Sequence, residues 1–140
     1  MKACIVVLTF LSIAWDANAK DSCVANMVGV DICAKAKEIA SEFQKHLPIV
    51  MSHNLSIVSA AAMGPLVAIQ AKHSLAKAEV DSAYAQAGMD LRRSMETATT
   101  GIICEEESPT RAFVNLGGEI QYLYLFSDLQ SLRVSIKSCE

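Results

Sequence analysis

A stretch of 25 residues without a charged side chain, from 47 to 71, constrains the fold of this 140-residue chain more than any other feature. Its large apolar residues fall on every side of a helical wheel, which is typical of a buried helix or of a membrane span. Gly64-Pro65 resembles the end of one helix followed by the start of another. The pattern therefore predicts a central core helix over 49–63 rather than one long span.

Helical spacing of apolar residues predicts two further helices. After Asp31, a suitable N-cap, apolar residues recur every three or four positions until Pro48, which indicates a helix over 32–46. A third helix, over 66–97, is predicted from a stripe that is mostly alanine between residues 69 and 87. Small residues let a neighbouring helix approach closely, so this seam would pack either within the chain or in a homodimer.

The C-terminal part changes period. Residues 99–110 interrupt the helical pattern and are predicted to be a loop. Apolar and polar residues alternate over 132–136, which predicts a strand, and two more strands are predicted over 120–126 and 111–116. The segment 125–136 also fits one helical face. We expect an α+β fold with an N-terminal three-helix half followed by a small C-terminal antiparallel sheet, and the alternative is an all-α helical bundle.

The N-terminus has the features of a secretory signal. Lys2 supplies a positive charge, an apolar run follows over 3–14, and an Ala-Asn-Ala sequence ending at Ala19 places small residues at the cleavage-determining positions. The run is shorter than the roughly 20 residues that span a bilayer. Residues 1–19 are expected to be a signal peptide and 20–140 a single disulfide-stabilised globular domain, either periplasmic or secreted.

Cleavage there would leave an even number of cysteines: Cys23, Cys33, Cys104 and Cys139. In an oxidising compartment they are expected to form two disulfides, whose pairing the sequence leaves open. Bridges from one end of the chain to the other would close the longest loops, so we weakly favour them. The spacing contains no C-x-x-C pair and no histidine beside a cysteine, so we expect no metal site and no cofactor.

Few side chains are suited to catalysis. The histidines, His46, His53 and His73, belong to no metalloprotease motif, and the sequence contains no nucleophile elbow or phosphate loop. His46 is expected at the C-terminal end of the first helix, His53 in the core, and His73 in the alanine seam as a structural or pH-sensing group. We therefore expect no catalytic residues and no enzyme.

Binding of another protein is the function that these features favour. The contact surface is predicted to include Glu105, Glu106, Glu107, Tyr122 and Tyr124, because protein interfaces use tyrosines surrounded by charged residues. Exported inhibitors, immunity-type neutralisers and assembly accessory proteins act in this way. The formal net charge of −3 argues against a nucleic-acid partner.

Two other functions stay open at this stage. The chain would be a carrier if a small apolar ligand were bound between the helices over 49–63 and 66–97. It would be a membrane-associated helical protein if the uncharged stretch partitioned into lipid.

Overall fold

The computed structural model describes Cys23 and residues 29–140, so the expected signal peptide lies outside the described residues. Nine elements follow one another along this part of the chain: α1 (Ile32–Lys45), β1 (Ile49–Ser52), β2 (Leu55–Met63), β3 (Leu66–His73), α2 (Lys77–Gln86), α3 (Leu91–Ile103), α4 (Pro109–Asn115), β4 (Glu119–Leu125) and β5 (Ser131–Ile136). The α+β class is confirmed. The predicted division into three helices and a small C-terminal sheet is wrong, as is the all-α alternative.

The strands form one five-stranded sheet in the order β1-β2-β3-β4-β5. Neighbouring strands are antiparallel except for β3 and β4, which are parallel and place Ile69 opposite Tyr122. A parallel pair requires a long crossover connection, and α2, α3 and α4 supply it. The last strand is joined by a short turn over 127–130 and pairs antiparallel with β4.

Helices α1, α3 and α4 cover one face of this sheet. Every second residue of the last three strands is buried beneath them, and those between are half-buried or exposed. The buried strand residues are Val67, Ile69, Ala71, Ile120, Tyr122, Tyr124, Leu132, Val134 and Ile136. This period of two is what a sheet with one covered face produces.

The uncharged stretch forms strands, not the predicted core helix over 49–63. It contains β1 and β2, and Gly64-Pro65 is the turn of the hairpin that joins β2 to β3. Gly64 has φ of 58°, a left-handed conformation that suits glycine in a tight turn.

The predicted helix over 66–97 is divided into β3, α2 and the first half of α3. Gly88, with φ of 73°, follows α2, and the Asp90 side chain caps α3 by accepting a hydrogen bond from the Arg93 amide at 2.8 Å. The seam over 69–87 therefore begins in a strand that pairs on both sides. It forms no continuous helical surface through which a homodimer could assemble.

Two shorter predictions are also corrected. Residues 99–110, predicted as a loop, include the last turn of α3, and the predicted strand over 111–116 is helix α4. Ser108 caps α4 and Pro109 occupies its first turn, as their preferences favour. The first helix and the strands over 120–126 and 132–136 are confirmed, each within two residues.

The four cysteines among the described residues form two disulfides, one between Cys23 and Cys33 and one between Cys104 and Cys139. Each joins cysteines that are near in sequence, so the favoured end-to-end pairing is wrong. The first bond links Cys23 to Cys33 in the first turn of α1. The second joins the end of α3 to the segment that follows β5.

Candidate functional site

A groove runs between α1 and α4 at the edge of the sheet. Its wider part is an open cavity of about 270 Å³ with an apolar wall. Its lining residues come from α1, β1 and α4: Ile39, Glu42, Phe43, His46, Ile49, Pro109 and Thr110. We call this the α1–α4 groove.

Helix α1 forms one wall of the groove because it is amphipathic. Asp31 caps its start by accepting a hydrogen bond from the Ala34 amide at 3.0 Å. Ile39 is buried against the sheet, and Phe43, one turn later, is only half-buried. Gln44 fixes the helix to β2 by donating to the Ala60 carbonyl at 2.7 Å. The ring of Phe43 thus forms the groove wall on a helix held in place.

Helix α4 forms the opposite wall. The Thr110 hydroxyl donates to the Ile103 carbonyl at 2.8 Å, and the Ser108 hydroxyl accepts from the Arg111 amide at 3.1 Å. Because these hydroxyls bond within the chain, the wall offers Pro109 and apolar surface rather than free polar groups. Such a wall favours an apolar ligand.

A second cavity, of about 130 Å³, continues the groove along the same pair of helices. Ile39 and Pro109 line both cavities, and the second extends to Lys35 and Leu116. From Lys35 to His46 a helix advances about 16 Å. The groove is therefore about as long as three turns of a bound helix.

Charged residues lie at the rim of the groove. The Glu42 carboxylate accepts a hydrogen bond from Lys45 at 2.7 Å and lies 3.3 Å from the ring of His46. The hydrogen bond from Lys45, with a smaller contribution from His46, lowers the pKa of the fully exposed Glu42 carboxyl. Glu42 is thus an anion at neutral pH.

The acidic run Glu105, Glu106 and Glu107 immediately precedes the α4 wall, and all three residues are exposed. The Ser108 amide donates to the Glu105 carbonyl at 3.2 Å, so the run forms a tight turn. Glu107 has φ of 64°, a conformation that is unfavourable for any residue with a Cβ. The bond from Cys104 to Cys139 fixes the start of this turn.

The two tyrosines predicted at the contact surface are in the core instead. Tyr122 is 2% exposed and Tyr124 is 4% exposed, and their rings stack with centroids 5.7 Å apart. The structure does not bring them together with the acidic run. Sequence reasoning missed the groove, although the apolar Ile39 and Phe43 and the Ser-Pro helix start at 108–109 are readable signals for its two walls.

The histidines are separated in the structure. His46 ends α1, as expected, whereas His53 is exposed in the turn between β1 and β2 rather than buried in the core. His73 ends β3, and its ring stacks on Phe126 with centroids 5.5 Å apart. Burial lowers the pKa of His73.

Every buried side-chain nitrogen and oxygen atom in the described part of the chain has a hydrogen-bond partner. Burial raises the pKa of the phenols of Tyr122 and Tyr124, which keeps both neutral. Cys23, Asp31 and Cys33 lie near one another, but the two sulfurs are joined in a disulfide and so are not free thiolate ligands for a metal. These groups supply no reactive centre.

The alternative sites are not built as expected. Since 49–63 and 66–73 are strands, the predicted cavity for a carrier between two helices is not formed. Within the described ranges, every helix is too short or too polar to cross a membrane.

No protein-family model matches the sequence, and no curated protein matches it either. Solved structures do resemble it. Pilotin EpsS from the type 2 secretion system of Vibrio vulnificus matches with a TM-score of 0.58 and 16% identity, over 78% of this chain and 92% of that one. The chain shares its fold with this pilotin.

A second pilotin has the same fold. AspS, from the type II secretion system of Vibrio cholerae, matches with a TM-score of 0.53 and 15% identity, over 77% of this chain and 89% of the pilotin. A Pseudomonas aeruginosa protein, described as a candidate secreted protein, gives a TM-score of 0.61 and 12% identity, over 78% of this chain and 93% of its own. At these identities the likeness establishes the fold alone.

Proposed function

We propose that this protein is an exported, non-enzymatic assembly accessory protein that holds a segment of a partner protein in the α1–α4 groove. The apolar groove beside an exposed acidic turn is the observation that carries the proposal. Two disulfides fit an oxidising compartment outside the cytoplasm. The shared fold of two secretion-system pilotins favours a component of a secretion machinery as the partner.

The length and the apolar lining of the groove indicate which kind of segment it would bind. A site between two helices that is about 16 Å long fits an amphipathic helix of about three turns, with apolar residues three and four positions apart. Glu42 lies on the rim, and the acidic run precedes the α4 wall. Because Lys45 pairs with Glu42, the acidic run supplies the unpaired negative charge, which favours lysine or arginine in the partner segment beside the α4 wall, mainly through association rate and orientation.

The conformation of Glu107 supports a role for the acidic turn. In the described part of the chain, only Glu107 and Leu129 combine a positive φ with a side chain other than glycine. Such conformations cost stability and concentrate at functional sites. A glycine would fit the turn better, so the presence of a carboxylate at this position supports a binding role for this side chain.

Affinity capture from the producing cell tests the proposal. The tagged, oxidised protein is compared with Phe43→Asp, which places a charge in the groove, and with Met89→Asp, which changes an exposed apolar residue outside it. We expect Phe43→Asp to weaken capture of the partner about tenfold or more and Met89→Asp to leave it unchanged. Equal capture by both variants would refute the groove as the binding site.

Charge reversal tests the acidic turn separately. Replacement of Glu105, Glu106 and Glu107 by lysine should weaken binding of the same partner. Glu96→Lys, at an exposed carboxylate on α3, is the control for a general charge effect. If the triple variant retains full affinity, the acidic turn is not part of the interface.

A further inference from the structure

A second cleft, of about 570 Å³, lies where the end of β3 meets the β1–β2 turn and the β4–β5 turn. Its wall includes the β1–β2 turn, the end of β3 and the turn between β4 and β5. The residues that carry the inference are His53, Val58, Lys72, His73, Phe126 and Leu129. We call it the His73 cleft. Its volume is within the range of small-molecule sites.

The charged and ionisable groups of this wall are basic. Lys72 is exposed and has no ion-pair partner among residues 29–140, and the imidazoles of His53 and His73 line the same cleft. Asp128 lies in the adjoining turn, but its two oxygens accept hydrogen bonds from the amides of Lys77 and Gln130. No carboxylate belongs to the described lining. An anion in the cleft would therefore meet the ammonium of Lys72, which has no ion-pair partner in the described part of the chain.

Hydrogen-bond donors also face this cleft. The Leu75 amide donates to Nδ1 of His73 at 3.1 Å, so in the neutral ring the proton is on Nε2, which is left as a donor. Stacking on Phe126 fixes the plane of that ring. The Ser74 hydroxyl donates to Oδ1 of Asn54 at 2.9 Å, which leaves the amide NH₂ of Asn54 as a second donor.

Leu129 contributes an apolar side chain to the cleft, and its backbone conformation lowers the stability of the fold. Its side chain is 94% exposed, and its φ is 64°, in a turn position that glycine or asparagine normally occupies. The turn is well anchored, because the Phe126 amide donates to the Gln130 carbonyl at 2.9 Å and the Leu129 amide donates to the Phe126 carbonyl at 3.1 Å. An exposed leucine held in an unfavourable conformation indicates a ligand contact.

We propose that the His73 cleft binds a small organic carboxylate, with its charge at Lys72 and the Nε2–H of His73 and its apolar body against Val58 and Leu129. This site is distinct from the α1–α4 groove, with which it shares no lining residue. A free acid and the C-terminus of a peptide carry the same group.

Titration followed by ¹H–¹⁵N NMR tests the proposal on the oxidised protein. Hexanoate is compared with the uncharged hexanamide, and acetyl-leucine represents a peptide terminus. We expect saturable shifts at Lys72, His73 and Leu129 with the carboxylates and about tenfold weaker binding of hexanamide. The tighter carboxylate identifies the source of the ligand. Equal binding of hexanoate and hexanamide, or no saturable shift, would overturn the proposal.

Two variants locate the site. Lys72→Gln should weaken hexanoate about tenfold, whereas Lys37→Gln, which removes the same charge from an exposed position on α1, should not. Leu129→Gly should weaken binding about threefold or more without lowering the thermal midpoint, because glycine suits the turn. Equal effects of the two lysine variants, or full affinity in Leu129→Gly, would contradict the assigned contacts.

Discussion

The hydroxyl of Thr99 on α3 lies 2.7 Å from the phenol oxygen of Tyr124 on β4, inside the core. Thr99 also donates to the Met95 carbonyl at 2.6 Å, so its oxygen accepts the phenol proton. The fully buried Thr99 hydroxyl therefore makes two hydrogen bonds. This bond accounts for a tyrosine in the core, where its hydroxyl would otherwise lack a partner.

We expect substitution of Tyr124 and substitution of Thr99 to lower the free energy of unfolding by different amounts. Tyr124→Phe leaves Thr99 bonded to Met95 and should lower the free energy of unfolding by about 1 kcal/mol. Thr99→Val leaves the buried phenol without its partner and should cost about 2 kcal/mol. Urea denaturation measures both, and equal costs would show that Tyr124 finds another partner.

Two glycines offer a matched test of packing. A Cβ at Gly118 would lie 2.3 Å from Cζ of Phe113, whereas one at Gly101 would meet nothing within 4 Å. Gly118→Ala must displace a buried ring and should cost about 2 kcal/mol. Gly101→Ala, within α3, should add about 1 kcal/mol through helix propensity. Thermal unfolding of the two variants should move in opposite directions, and a shift in the same direction would contradict this packing.

Removing each disulfide should have a different effect. Cys104–Cys139 joins residues 35 positions apart and Cys23–Cys33 residues 10 apart. In the chain-entropy account, paired alanine substitution should cost about 4 kcal/mol for the longer loop and about 3 kcal/mol for the shorter. Denaturant titration of the two double variants tests the order, which would be reversed if the short bond were the main constraint.

Stability should fall as the pH decreases because of His73. Burial lowers the pKa of this imidazole in the folded chain below its value in the unfolded chain. The unfolded state therefore binds more protons between those two pKa values, and folding loses stability as the pH falls from about 6.5. His73→Gln should reduce this slope in unfolding measured from pH 8 to pH 5. An unchanged slope would exclude His73 as its source.

Part of the fold could be predicted from single residues with strong local preferences. Asp31 and Pro48 bound α1 in sequence and in structure, and the alternation at 132–136 identified β5. The strand over 120–126, which is β4, was found from its apolar run.

The helix predicted over 49–63 was wrong because the apolar residues of this segment fit a buried helix as well as a strand. Residues 59–63 are rich in alanine and resemble a helix, yet they pair with β3, and this pairing is a long-range interaction that composition does not reveal. Gly88 and Asp90 indicate the break between α2 and α3. The alanine-rich stripe before them has helical spacing, and for this reason one continuous helix was predicted. The two walls of the groove have readable signals in the sequence, but the groove itself could not be predicted, because it depends on how α1 and α4 meet.

Site-specific photocrosslinking tests the central claim, that the α1–α4 groove holds a partner segment. A benzophenone amino acid replaces Glu42, an exposed residue on the groove rim, and in a second protein it replaces Glu96, an exposed residue on α3. The adducts formed in the producing cell are sequenced. We predict crosslinks from position 42 alone, to one segment with apolar residues every three or four positions flanked by lysine or arginine. Identical adducts from both positions, or crosslinks from position 42 to an acidic segment, would contradict the claim that the groove holds this partner segment.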